Sequence, residues 1–172
     1  MADDYLQVAL ITEVFFDDPT GERLQRALVD AQSRGADLAL LPEIPLNRWS
    51  PASKQAIDED AEEPDGWRQT LMAEAAKSVG IGLVGGAIIR DPDTGIRYNT
   101  ALLYDGKGVC HARYRKVHLP EEEGYWETSH YMPGTEPPQA ISDTFSLTVG
   151  LQICSDVNRP QGFQILSSGG AE

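Results

Sequence analysis

Apolar residues fall along the chain in short blocks separated by polar, glycine- and proline-bearing stretches, and the period within a block changes from one to the next. Leu6 to Thr12 is an apolar run of strand length, followed by a loop over Glu13 to Asp18 that holds Phe15 and Phe16. From Thr20 the period lengthens. Leu24, Ala27, Leu28 and Ala31 stand at i, i+3, i+4 and i+7, which predicts a helix with one apolar face, stopped at Gly35. Ala36 to Leu41 is strand-like again, and Pro42 ends it. Strand, helix and strand in succession make a βαβ unit with parallel strands and a right-handed crossover. Glu43 is therefore expected just past a strand's C-terminal end.

Ile44 to Asp65 has no period and is rich in proline, serine and acid, so it is expected to be a surface excursion. Gly66 to Val79 predicts a second amphipathic helix with Trp67, Leu71 or Met72, Ala75 and Val79 inward. Ile81 to Ile89 is an apolar strand whose Gly82, Gly85 and Gly86 permit close approach by another layer. Arg90 to Ile96 forms a turn without the acid spacing of a calcium loop, and Arg97 to Tyr104 and Val109 to Arg113 complete an antiparallel meander. A sheet that mixes a βαβ unit with hairpins, and has helices to cover its faces, is an α/β or α+β sandwich. Tyr114 to Pro120 leads into a structured loop ending at Gly134.

Phe145 to Ile153 reads as a mostly buried strand, and Ser155, Asp156, Asn158 and Pro160 are residues that favour turns and helix starts. A helix is expected over Gln161 onward. Cys154 thus falls at a strand's C-terminal end, where open α/β sheets carry their ligands, and the positive end of the helix beyond it would favour a thiolate. The plain alternative is an inert buried cysteine.

Composition narrows the classes. A length of 172 residues with 41% hydrophobic residues suits one domain with a real core. Cys110 and Cys154 are far apart and unpaired in motif, so neither a zinc set nor a disulfide framework is expected, and a reducing compartment fits. The first residues lack a leader pattern, and no run approaches the roughly 18 apolar residues of a membrane span, so a soluble cytoplasmic protein is expected. Net charge is −13, with a dense acidic run from Asp58 to Asp65. A phosphate-binding surface needs the opposite sign, so nucleic acid is not the expected partner.

Three polar residues each follow an apolar strand: Glu43, Lys116 and Cys154. A carboxylate that takes a thiol proton, a thiolate that attacks, and an ammonium that stabilises developing negative charge are complementary parts for attack on an electrophilic carbon. Taken singly, Glu43 reads better as a surface acid and Lys116 as a solvated cation. A thiol-histidine dyad using His111, His118 or His130 is another arrangement, but it lacks a local protease signature; His118 reads better as an orienting hydrogen-bonder, and Cys110 as structural.

At three separated places, in order, the chain resembles the carbon-nitrogen hydrolase (nitrilase) superfamily: Leu41-Pro-Glu43, Tyr114-Arg-Lys-Val-His-Leu-Pro120, and Gly150-Leu-Gln-Ile-Cys-Ser-Asp156 with Pro160 following. The resemblance implies an αββα sandwich, with Glu43 as general base, Lys116 as oxyanion-stabilising cation and Cys154 as nucleophile. It implies that Glu127 orients the lysine and substrate, and the backbone N-H of Ser155 is a reasonable second oxyanion donor. Glu127 on its own would be a loop acid. The implied reaction cleaves a non-peptide carbon-nitrogen bond through a Cys-linked acyl intermediate and releases ammonia or an amine, with no metal or organic cofactor. Ser155-Asp156 after the cysteine looks more like the amidase and carbamoylase side than the nitrile-cleaving side, so a small amide or carbamoyl substrate is expected and a nitrile is the alternative. Gln161 departs from the usual glutamate after the proline. Family members continue well past the helix after the cysteine, so the chain is expected to be the N-terminal portion of an α/β sandwich whose full-length form is a homo-oligomer. An inactive binding or assembly module is the reading of a different class.

Overall fold

The computed structural model describes residues 5–172. Strand β1 (Val8–Leu10), helix α1 (Glu22–Ser33) and strand β2 (Leu38–Leu40) form the expected βαβ unit, with β1 and β2 parallel and Leu10 opposite Leu40. Gly21 precedes α1 in a left-handed conformation and offers no side chain, so the buried Asp18 carboxylate caps the helix instead, accepting from the N-H groups of Arg23 (2.9 Å) and Leu24 (3.1 Å).

Strand β2 pairs in parallel with the first half of β4 (Gly82–Arg90), and the short β3 (Ala61–Glu62) continues beside its second half, Ala61 opposite Ile88. Antiparallel β5 (Arg97–Tyr104) and β6 (Cys110–Arg115) complete the meander and give the order β1-β2-β4-β5-β6, with β3 pairing β4. Helices α1 and α2 (Trp67–Val79) cover one face, where Leu24, Leu28, Met72 and Ala76 pack on Ala39, Leu83, Ala87 and Leu102. On the opposite face Leu38, Val84, Ala101, Leu103 and Tyr114 pack with Leu151 and Ile153. The glycines of β4 serve both faces. A Cβ on Gly85 would come within 2.5 Å of Met72 Sδ on the helix side, and one on Gly86 within 3.3 Å of the Ile44 backbone nitrogen.

Three sequence expectations are corrected. Ile44 to Asp65 is not a surface excursion throughout: Ile44 and Leu46 are buried, and Asn47 Nδ2 donates to the Asp60 carbonyl at 2.9 Å, drawing the segment in beside β4. Trp67, expected inward, is exposed at the first turn of α2, where the Arg68 guanidinium stacks on it; Arg68 and Gln69 are buried instead because Glu62 of β3 accepts from both. Phe145 to Ile153 is not one strand, since only β10 (Val149–Gly150) finds a ladder partner, antiparallel β9 (Ala140–Ile141). Its apolar side chains are still packed on the sheet, so the hydrophobic run marks burial rather than strand pairing.

Between β6 and β9 the chain makes the small hairpin of β7 (Glu121–Glu122) and β8 (Tyr125–Trp126) and a single 3-10 turn, Glu127–Ser129. A second 3-10 turn, Cys154–Asn158, leads into α3 (Pro160–Ser168), with Pro160 at its first position as expected. No described helix is long and apolar enough to cross a membrane.

Candidate active site

Glu43 lies just past β2, as the βαβ reading requires. The chain turns sharply after it: Ile44 has φ 43, a left-handed conformation unusual for a β-branched residue, and it crosses close above Gly86. The turn sends the Glu43 carboxylate across the sheet toward β5 and β6, where its Oε1 accepts from Asn99 Nδ2 at 2.6 Å and from Lys116 Nζ at 2.9 Å.

Lys116 follows β6 directly, and its backbone N-H continues the ladder to the Asn99 carbonyl at 2.8 Å. Its side chain is fully buried, and Nζ also donates to both oxygens of Glu127, at 2.7 and 2.8 Å. Glu127 is itself 0% exposed, held by the 3-10 turn after β8. Burial opposes charge on Lys116, but the two carboxylates outweigh it and hold the ammonium above the usual lysine range. Burial pushes the Glu127 carboxyl up, with Lys116 pulling the other way. The cluster is one ammonium shared by two carboxylates, so loss of Lys116 would leave both without their cation, the Glu127 carboxylate fully buried.

Cys154 opens the 3-10 turn after β10 with φ 45, again in the left-handed region. The turn is pinned by the buried Asp156. Asp156 Oδ2 accepts from Tyr114 Oη at 2.9 Å and from the Ile153 N-H at 3.3 Å, while Oδ1 accepts from the His118 N-H and lies 2.8 Å from His118 Nδ1. The Ser155 hydroxyl donates to the His118 carbonyl. Cys154, Glu43, Asn99, Gly86 and Ile153 line a common cleft of about 210 Å³. Burial, then the negative charge of Glu43, push the Cys154 thiol up, against the pull of Lys116. The expectation of a thiolate favoured by a helix end is therefore corrected. The sulfur precedes a tight turn rather than capping a long helix, and a carboxylate is its neighbour.

The other thiol and the histidines are engaged elsewhere. His111 Nε2 pairs with Asp105 at 3.0 Å, His130 Nε2 with the Ser53 carbonyl at 2.7 Å, and His118 with Asp156, in the orienting part expected of it. Cys110 is half-buried in β6 with its Sγ 3.4 Å from the Ala112 carbonyl. Among the described residues no group of three or more His, Cys, Asp or Glu is placed to hold a metal ion. Glu43, Lys116, Glu127 and Cys154, far apart in sequence, thus converge, and Ser155 stands beside the thiol. Sequence reasoning passed over two residues. Asn99, inside a strand, carries no signal of its own in the sequence, and Asp156 was read as a turn former rather than a buried acceptor.

The family model for carbon-nitrogen hydrolases matches residues 12–172, and the chain belongs to that family. It is 32% identical over 164 residues to nitrilase homolog 2 of Dictyostelium discoideum, covering 90% of this chain and 48% of that protein. With an omega-amidase of Xenopus laevis it shares 30% identity over 152 residues, covering 86% of this chain and 53% of the relative. The chain thus spans about half the length of these curated relatives. The crystal structure of an amidase from Nesterenkonia sp. superposes with a TM-score of 0.76 at 25% identity, over 97% of this chain and 62% of that one, which accords with the N-terminal portion of the nitrilase fold. A mutant of that amidase carries the acetamide moiety of fluoroacetamide covalently on its active-site cysteine.

Proposed function

We propose that this site hydrolyses a carbon-nitrogen bond of a small amide or carbamoyl compound, with Cys154 as nucleophile. The observation that carries the reading is that Glu43 and Cys154 line one cleft while Lys116 Nζ, buried behind Glu43, bonds both its carboxylate and that of Glu127. The resting pair is a protonated thiol beside a carboxylate. Glu43 takes the thiol proton as Sγ attacks the amide carbon, so no standing thiolate is needed. Negative charge then collects on the substrate oxygen, where the Lys116 ammonium and the Ser155 N-H stabilise it. Glu43 returns the proton to the departing nitrogen, ammonia or an amine leaves, and a thioester remains on Cys154. Water, deprotonated by Glu43, attacks the thioester carbon; the acid departs and the thiol is regenerated.

The amidase names among the relatives support an amide over a nitrile as substrate, and the acetamide adduct on the cysteine of the Nesterenkonia amidase supports a nucleophilic thiol at this place. The chemistry uses groups of the protein itself, and two free thiols suit a reducing cytoplasm. Cys154→Ala is expected to abolish release of ammonia from a panel of short primary amides and N-carbamoyl compounds, and Cys110→Ala to leave it intact. The reverse pattern would sink the assignment.

A second reading, a binding or assembly module, is favoured by one observation: Val8, Leu10 and Leu40 leave an apolar stripe on the sheet uncovered, Leu10 being 73% exposed. A folded chain that binds a partner and turns over none of the panel would support it.

A further inference from the structure

Asn99 is the third residue of β5 and is 1% exposed, a position where a strand ordinarily carries an apolar side chain. A buried amide needs partners, and this one finds the site rather than the core. Its Nδ2 donates to Glu43 Oε1 at 2.6 Å, and its carbonyl accepts the N-H of Lys116 at 2.8 Å, so one residue holds the carboxylate by its side chain and the lysine by its backbone. Both donors on Glu43, Asn99 Nδ2 and Lys116 Nζ, meet at the same oxygen. Oε1 is thus taken up twice over, and Glu43 shares its cleft with Cys154.

We infer that Asn99 is a positioning residue: by holding Oε1 against the sheet it aims Oε2 at the Cys154 thiol. The inference rests on the proposed amidohydrolase reading for its catalytic consequence, but not for its geometry. Lys116 alone cannot set this orientation, because its ammonium is a rotating donor that also serves Glu127, whereas the planar amide fixed in β5 offers one direction. Without Asn99 the carboxylate is free to turn about its last bond toward Lys116 or the open cleft. Proton transfer from sulfur then loses its geometry, while the substrate pocket keeps its walls.

The charged groups facing the thiol are Glu43, Lys116 and Glu127. Holding the Glu43 charge near sulfur disfavours the thiolate, so releasing it has two opposite consequences. Turnover falls, and simple alkylation of the resting thiol becomes faster. General loosening of the fold would lower turnover too, but would expose both cysteines together.

The test uses Asn99→Leu, which keeps the volume of the side chain and removes the donor, beside Asn99→Ala. In both, kcat on a primary amide is expected to fall about tenfold with KM changed less than about threefold. Iodoacetamide labelling of Cys154 at neutral pH, read by intact mass and mapped, is expected to rise several-fold, with Cys110 unchanged. Asn99→Leu that melts like the wild type and keeps both its kcat and its Cys154 labelling rate overturns the inference. A wild-type chain that turns over no amide overturns the amidohydrolase reading instead, and the Cys154-against-Cys110 labelling contrast then still decides the part played by Asn99.

Discussion

At Cys154 two demands oppose each other. A nucleophile gains from being a thiolate, yet the carboxylate that must receive its proton makes the thiolate harder to form. The thiol is raised by burial and by Glu43, so the proton is kept on sulfur until an electrophile arrives. Transfer to Glu43 during attack also stores a proton for the leaving nitrogen, which a standing thiolate could not supply. Glu43→Gln separates the two effects. Removing the negative charge lowers the thiol toward its ordinary range, so the thiolate fraction at neutral pH grows and iodoacetamide labels Cys154 faster than in the wild type. Amide turnover is expected to fall at least a hundredfold, in line with the loss of a general base. Slower labelling together with lost turnover would show that Glu43 promotes the thiolate at rest, contrary to the direction argued here.

Single elements carry these residues with little slack. The path of Glu43 depends on the left-handed Ile44 and on Gly86, whose absent side chain leaves room for that crossing. A Cβ at Gly86 would stand 3.2 Å from the Thr100 carbonyl and 3.3 Å from the Ile44 nitrogen, so strand or crossing must give by a few tenths of an ångström. Gly86→Ala is therefore expected to cost about 1–2 kcal/mol in urea unfolding and to lower kcat about tenfold by shifting Glu43; an unchanged kcat would show that the crossing tolerates the methyl. Periodicity made these elements readable to different degrees. The parallel pair, the meander and the ends of α1 followed from apolar spacing and glycine stops, and the placement of Glu43 and Cys154 near one rim followed from them. The apolar run from Phe145 was misread because Leu151 and Ile153 are buried by packing against the sheet without a ladder partner of their own. Trp67 was misread because periodicity cannot see that Glu62 captures Arg68 and Gln69 from a neighbouring strand. Asn99 and Asp156 escaped for a related reason. Their importance lies in partners dozens of residues away, which no local pattern records.

Across the whole molecule the two faces of the sheet are unequally covered. Helices α1 and α2 close one face, but on the other the packed cluster around Leu103 and Tyr114 thins out toward the β1 edge. Strand β1 alternates, with Ala9 turned to the helices and Val8 and Leu10 to the open side, and Leu40 of β2 lies opposite Leu10. An uncovered apolar stripe on an edge strand invites contact with another apolar surface, including a second copy of the chain. The chain alone is therefore expected to self-associate as its concentration rises, which sedimentation velocity will register as a growing fraction of larger species. Leu10→Lys places a charge in the middle of the stripe and should return the chain toward monomer. Leu10 is not among the residues that line the Cys154 cleft, so thiol labelling should be unaffected by the substitution. If wild type and Leu10→Lys sediment alike at every concentration, association does not run through this stripe. If labelling changes as well, the stripe and the site are coupled, with Leu40, which belongs to the stripe and lines the cleft, as the link.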